Sequence, residues 1–462
     1  MCATIVPNNL ASQPQENRIL SGSISSNFFA LFIPSIIGLL AFSSASLIDG
    51  IFVGNFVGAQ ALAAINLLIP FINLLFGIGY MLSVGGSVRG GKYIGEGRFD
   101  LASGVFSKIL ILCMSFSIMV VIVGLYFEDH LYRALGANDE LIPLMSEYFR
   151  IRFPFMIAEM FIIVMYYFVR IDGFANFSAV GILVASVINV ILDYVFVAEF
   201  QWGLAGAAWA TGLAQACAVL YFLSYFILKK RKLSIRVKQQ HWLEVFQASF
   251  NGMSEFINEV SASLIAFILN WLLIISVGTN GVAAITIINY LLLVGIMVVY
   301  SISEACQVFI SQNFGAGNIQ RIKQYALVTA MACAVTSGVF IFLLLGFTDE
   351  MIAMFLNDTS EAAAQLAHEY VAILWPIFLV NGFTISISAY LTALHAAKES
   401  AAIALSRGII LPVIFIMVLY YYVPSIPFLW ALPIAEGLTF VLAVMLFLRN
   451  PPHKHMPAIK HD

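Results

Sequence analysis

Ser46-Leu-Ile-Asp-Gly-Ile-Phe-Val-Gly54 sets a carboxylate, Asp49, near the end of a run, 24–53, that holds no other charged residue. A helix needs roughly 20 apolar residues to cross the hydrocarbon core of a bilayer, and this run is long enough. A carboxylate inside such a span costs about 2.5 to 3.5 kcal/mol on insertion scales, so it demands a partner or a role. How Asp49 is satisfied therefore decides what the chain is for.

The rest of the chain repeats the pattern. Of 462 residues, 61% are hydrophobic and 10% charged, with a mean hydropathy of +0.95. Soluble domains carry about 25% charged residues, so an ordinary globular enzyme is excluded. Apolar runs fall at 24–53, 60–88, 101–126, 143–169, 177–199, 204–228, 244–277, 281–311, 324–347, 364–394, 400–423 and 428–448. This predicts an all-α polytopic membrane protein with twelve spans. The five cysteines (Cys2, Cys113, Cys217, Cys306, Cys333) have no paired spacing and read as packing residues. The polar first 20 residues lack a basic n-region and a cleavage site, so no signal peptide is expected.

Lys and Arg are retained on the cytoplasmic side. They follow the even-numbered runs: Arg89, Lys92 and Arg98, then Arg170, then Lys229 to Lys238, then Arg321 and Lys323, then Lys398, then Arg449, Lys454 and Lys460. The breaks after odd-numbered runs are acidic instead, with Glu128, Asp129, Asp139, Glu140, Asp349, Glu350, Asp358 and Glu361; Arg133 is the exception. Both termini are expected in the cytoplasm.

The basic connection 229–238 divides the chain into halves that resemble each other. Gly58-Ala-Gln-Ala-Leu-Ala-Ala-Ile65 aligns with Gly278-Thr-Asn-Gly-Val-Ala-Ala-Ile285, and Gly95-Glu-Gly97 with Gly315-Ala-Gly317. Two pseudo-symmetric six-helix bundles follow, 1–235 and 236–462, the second with a short cytoplasmic tail. Parallel repeats of this kind put a binding cavity between or within the halves.

Asp49, Glu159, Asp193, Glu255, Glu259, Glu304 and Glu436 all fall inside the runs. Asn189 precedes Asp193 by one turn and shares its face. Asp49, Asp193 and Thr211 lie at similar distances from the outer ends of helices one, five and six, hence at one depth. Two carboxylates, an amide and a hydroxyl make an all-oxygen shell suited to sodium. Alternatively, mutual repulsion in a dry site would leave a proton on one aspartate. Helices one, five and six supply no base to neutralise the pair. Glu159, Glu255, Glu259, Glu304 and Glu436 are secondary acidic candidates. Pro34 removes a backbone hydrogen bond four turns before Asp49 and is read as a hinge in helix one. Aromatic residues, 14% of the chain, would hold flat cations in a central cavity.

Asp49-Gly-Ile-Phe-Val-Gly54, Leu135-Gly-Ala137 with Tyr148 and Pro154, Arg170-Ile-Asp-Gly173, Asn189-Val-Ile-Leu-Asp193, Gly203-Leu-Ala-Gly-Ala-Ala-Trp-Ala-Thr211 and Asn313-Phe-Gly-Ala-Gly-Asn318 occur in that order. Over nearly the whole chain this set resembles the multidrug and toxic compound extrusion (MATE) transporters. Pro34, Asp49, Asn189, Asp193 and Thr211 resemble the amino-lobe cation site of the DinF-type branch. Ser254-Glu-Phe-Ile-Asn-Glu-Val-Ser261 is similar instead to a MepA-like branch. The resemblance implies efflux of organic, mostly cationic compounds in exchange for protons or sodium.

The expectation is therefore an antiporter of the bacterial inner membrane. It would act as a monomer on small organic cations, with no cofactor beyond the coupling ion and no nucleic-acid partner. A lipid-linked saccharide flippase of the same superfamily is the alternative, disfavoured because no base is evident in the central cavity. An intramembrane enzyme is excluded by the peripheral histidines and by the absence of HExxH or GxSxG.

Overall fold

A span of 37 residues, Ala59–Gly95, recurs as Thr279–Gly315, also 37 residues; the next pair, Phe99–Tyr126 and Ile319–Gly346, has 28 residues in each copy. The repeat read from the sequence is thus kept residue for residue in the lengths of these two pairs of helices. The computed structural model describes residues 18–239, 241–353 and 361–455, and every regular element among them is helical. Cys2, Asp358, Lys460 and the last histidine, His461, lie outside the described residues.

Eleven helices are individually long and apolar enough to cross a bilayer, and one bent pair supplies a twelfth span. They are α1 Ile24–Val57, α2 Ala59–Gly95, α3 Phe99–Tyr126, α4 Leu141–Ile171, α5 Ala175–Glu199, α6 Gly203–Ile227, α7 Met253–Ser276, α8 Thr279–Gly315, α9 Ile319–Gly346, α11 Ala397–Tyr422 and α12 Phe428–Arg449. The bent pair, Ala362–Leu374 plus Ile377–Ala393, is α10, and it turns by 54° at Trp375-Pro376, where proline has no N–H to continue the ladder. The chain is a multi-pass membrane protein.

Three runs differ from their sequence reading. The seventh splits at Gly252, so a short helix, Trp242–Asn251, precedes α7. It exposes Trp242, Leu243, Phe246 and Phe250 while burying Val245 and Ala248, as a helix lying in a membrane interface does. The fourth passes through Pro154 by a 3₁₀ turn, Phe153–Phe155, and continues to Ile171. Arg170 is consequently buried inside the bundle and is not part of a solvated loop. The first runs through Pro34 without interruption and ends in a π-helical turn, Val53–Val57.

In the first half α1 packs on α5 and α5 on α6; in the second, α7 packs on α11 and α8 on α10. The halves meet along α2, which packs on both α7 and α8. Glycines make this seam. A Cβ at Gly95 would overlap the Gln312 carbonyl oxygen, and one at Gly315 would overlap that of Lys92; Gly85 and Gly252 likewise touch the backbones around Ala248 and Met81. The repeated Gly-x-Gly thereby has two physical causes. Its first glycine admits the facing backbone, and its second, Gly97 or Gly317, turns the chain at φ 73° or 72°. These contacts close the bundle at the end that carries the Lys and Arg clusters, called below the basic end.

Candidate functional site

Asp49 sits eight residues before the end of α1, Asp193 six before the end of α5, and Thr211 eight after the start of α6. At 1.5 Å per residue these are depths of roughly 9–12 Å from the acidic end. The fold brings them together. The Asp49 and Asp193 carboxylates lie within hydrogen-bonding reach of each other. Asn189 Nδ2 reaches Thr211 Oγ1 at 3.4 Å, and Thr211 Oγ1 donates to the Ala207 carbonyl at 3.0 Å. The threonine proton is therefore spent within α6, leaving its lone pairs toward the pocket.

Both aspartates stand where a helix widens. The Val53 N–H is shared between the carbonyls of Asp49 and Gly50 as α1 passes into its π turn, and Asp193 directly precedes the π turn Tyr194–Glu199. Such turns are enriched at functional sites. Asp193 is fully buried, and among the described residues Asp49 Oδ1 and both Asp193 carboxylate oxygens have no hydrogen-bond partner. Oxygens buried in this way need a cation or a proton.

A second region lies inward of this pocket. A cavity of about 370 Å³ opens between the halves, walled by α1, α2, α4, α7, α8, α10 and α11, with Ile182 and Ala185 of α5 and Gln215 of α6 completing the lining. Glu159, Glu255, Glu259 and Glu304 all line it, with Tyr80, Tyr166, Tyr167 and Tyr300; Asp49, Asn189, Asp193 and Thr211 do not. Gln307 Nε2 donates to Glu255 Oε1 at 3.1 Å, and Glu259 lies one turn further along the same face of α7.

Arginines overlooked in the sequence change the charge balance. Arg152 pairs with Glu159, which also accepts from Gln215 Nε2; Arg170 Nη1 meets Glu304 Oε2 at 2.6 Å; Arg407 Nε meets Glu436 Oε2 at 3.2 Å. Arg407 lines the cavity, which corrects the expectation that no base stands there. Arg152, from α4, acts on Asp49 from a helix outside the three considered above. Three of the seven intramembrane acids are thus neutralised, and 7 − 3 leaves Asp49, Asp193, Glu255 and Glu259. The test that flagged the acids, a charge inside an apolar run, also flags Arg152 and Arg407 when applied to bases.

Pro34 is buried in α1 below the cavity, next to Ser35, which accepts a hydrogen bond from Arg170 Nη2 at 2.8 Å. Glu304 also accepts from Tyr166 and Tyr167 at 3.0 and 3.1 Å. One polar layer therefore joins the proline region of α1, the end of α4 and α8 of the other half. Among the described residues no group of three or more His, Cys, Asp and Glu side chains is placed to hold a metal ion.

Twelve spans in two repeated halves around an acidic central cavity define a polytopic membrane protein of the two-lobed kind. The MatE family profile matches twice, over residues 34–195 and 256–418, one match in each half, and the chain belongs to that family. Curated relatives include the multidrug export protein MepA of Staphylococcus aureus strain N315, 25% identical over 423 residues that make up 90% of this chain and 91% of the relative. MepA of Staphylococcus saprophyticus is 23% identical over the same coverage. Among solved structures, a MOP-superfamily transporter from Pyrococcus furiosus, described as having a binding pocket of reversed polarity, superposes with a TM-score of 0.87 at 22% identity, covering 97% of this chain and all (100%) of that one. A multidrug-resistance MATE transporter in its outward-facing conformation gives 0.86 at 23% identity, over 95% of this chain and 98% of the other.

Proposed function

We propose that this protein is a cation-driven antiporter that exports hydrophobic organic cations through the inner membrane. The observation that carries the reading is the facing pair Asp49 and Asp193, with three buried oxygens that no donor among the described residues satisfies. A proton or a sodium ion entering from outside completes them, with Asn189 and Thr211 as further oxygen donors. Cargo occupies the central cavity, where Glu255 and Glu259 offer unneutralised charge and the tyrosines offer ring faces. The relatives named multidrug export proteins support a compound of this class.

The lobes 1–235 and 236–462 rock against each other along the glycine seam. With the basic end in the cytoplasm, the closed seam corresponds to an outward-facing state. Ion binding bends α1 near Pro34 and favours outward release; the ion then leaves inward and cargo rebinds. Each ligand must prefer one facing state, because a ligand with equal affinity for both shifts nothing. A lipid-linked diphosphate is opposed by the cavity, whose single lining arginine is already engaged by Glu436.

In proteoliposomes with proton and sodium gradients imposed separately, one gradient drives accumulation of an organic cation against its own gradient. Asp49→Asn abolishes this at normal protein level. Full transport by that variant overturns the reading.

A further inference from the structure

Arg152 is a buried cation that belongs neither to the ion pocket nor to the lining of the cargo cavity. It lies on α4 just before the 3₁₀ turn Phe153–Phe155 and is 8% exposed. Its guanidinium is bound to Glu159 Oε1, and Gln215 Nε2 donates to the same oxygen. Glu159 and Gln215 line the central cavity, whereas Arg152, Asp49 and Asp193 do not. The turn that follows Arg152 seats Phe155 against Gly212 and Trp209, the neighbours of Thr211 on α6, so its charge also stands beside the aspartate pocket and acts on Asp49. It therefore stands in the wall between two compartments, with acids on both sides.

On the reading of Asp49 and Asp193 as the ion site, we infer that Arg152 makes ion and cargo exclude one another, by sharing its charge between Glu159 and the aspartate pair. Asp49, Asp193 and Glu159 contribute three negative charges and Arg152 one positive, so −3 + 1 leaves two to be supplied. A guanidinium cannot lose its proton, so it can answer a change only by moving or by redirecting its field. Glu159 Oε2 and Gln215 Oε1 are buried without partners, which leaves the cavity side of this wall able to receive a donor.

An organic ammonium reaching Glu159 competes for the carboxylate that tethers Arg152. The freed guanidinium turns to Asp49 and Asp193 and expels the coupling ion. An ion bound at the aspartates repels Arg152 back to Glu159, neutralises it and weakens the hold on cargo. The coupling is reciprocal, as any binding linkage must be. Arg152 is a positioning residue here: it touches neither ligand in its final place.

The test uses the purified full-length protein in lipid nanodiscs and ethidium, a flat cation that carries N–H donors, as the probe, its binding titrated with sodium at fixed pH and then with pH in the absence of sodium. In the wild-type protein, saturation with the effective ion weakens probe binding by about tenfold, within the 5–150-fold usual for coupled sites. Arg152→Gln removes that ion effect while the probe still binds, and Arg152→Lys, which restores the charge, returns part of it. Glu159→Gln releases the tether, so the ion effect disappears and ion affinity falls. A full ion effect in both Arg152→Gln and Glu159→Gln overturns the inference. If Arg152→Gln does not fold, Arg152→Lys and Glu159→Gln decide: a full effect in Glu159→Gln overturns it alone. Failure of the underlying reading looks different, since Asp49→Asn would then keep the wild-type ion effect.

Discussion

The two halves leave unneutralised acids in different solvents. Asp49 and Asp193 of the first half lie behind the cavity wall, with Asp193 fully buried among α1, α5 and α6. Glu255 and Glu259 of the second half face the open cavity, where Gln307 and several tyrosines surround them. Each half also owns one internal ion pair, Arg152–Glu159 and Arg407–Glu436, and a third pair, Arg170–Glu304, crosses between halves. On the proposed function the duplicated scaffolds carry unequal tasks: the buried aspartate pair suits a bare ion, whereas acids on a cavity of about 370 Å³ suit a bulky cation.

The largest expected effect breaks the comparison directly. Asp193→Asn removes one of two facing charges from a dry site, and ion-driven transport falls to background, a loss of at least about a hundredfold for an interaction made only in the coupled step. Glu259→Gln removes a cavity charge, weakens binding of cationic compounds by about tenfold as one partly solvated charge contact does, and leaves the ion dependence intact. Parallel transport and binding assays on the two variants check this. Equal phenotypes would erase the distinction between the halves.

The internal pairs sharpen it next. Arg407→Gln leaves Glu436, 7% exposed, without its partner and destabilises the protein by about 3–5 kcal/mol, the usual cost of uncovering a buried charge. Replacing both Arg407 and Glu436 by Met removes the charge and its partner together, so thermal stability in detergent returns near the wild-type value. Transport survives in that double variant. The same double replacement at Arg152 and Glu159 also folds but uncouples transport from the ion.

A glycine at the seam gives a smaller effect. Gly95→Leu forces a side chain against the Gln312 carbonyl, a clash with backbone that no rotamer relieves. Overpacking of this kind costs about 1–3 kcal/mol, all of it charged to the closed seam. Cysteines placed on α2 and α8 at the basic end then crosslink less, and probes reach the cavity from that end. Gly97→Leu, at φ 73°, strains the turn but not the seam, and is the control.

Much of this is legible in the sequence alone. The span count, the repeat and the meeting of Asp49, Asn189, Asp193 and Thr211 follow from apolar run length, from equal offsets and from equal depth in the bilayer. Each is a one-dimensional property of a helix. What escaped was set by contacts across helices. Arg152 and Arg407 hide in apolar runs because their partners, Glu159 and Glu436, cancel their charge only once folded. Arg170 reads as a loop residue because its charge ends the apolar run at 169, whereas α4 continues to Ile171 and Glu304 of the other half answers that charge. Gly95 reads as a turn signal until the Gln312 backbone is seen against it. The division of labour between the halves was hidden for the same reason, since only the fold says which acids face the cavity.

The smallest effect concerns pH at the closed end. His395 lies between α10 and α11, where its ring meets Phe314, Asn251 Nδ2 stands 3.5 Å from Nδ1, and Nε2 is buried without a partner. Burial, then Arg89, Lys92 and His455, hold its pKa well below the ordinary imidazole value. Arg89 and Lys92 come from α2 of the other half, so opening the seam withdraws two of the three cations and rehydrates the ring. In the open state the His395 pKa moves back up toward the ordinary imidazole value of about 6.5. The closed seam therefore binds fewer protons, and the stability His395 lends it is complete above that value and lost as pH falls below it. The bias is at most about 1.4 kcal/mol per pH unit. Crosslinking across the seam, followed from neutral to mildly acidic pH, should decline, and His395→Gln should flatten the decline without altering crosslinking at neutral pH. Since the aspartate pair also responds to acid, the comparison belongs in an Asp49→Asn, Asp193→Asn background, with and without His395→Gln, so that the difference between the two profiles belongs to His395.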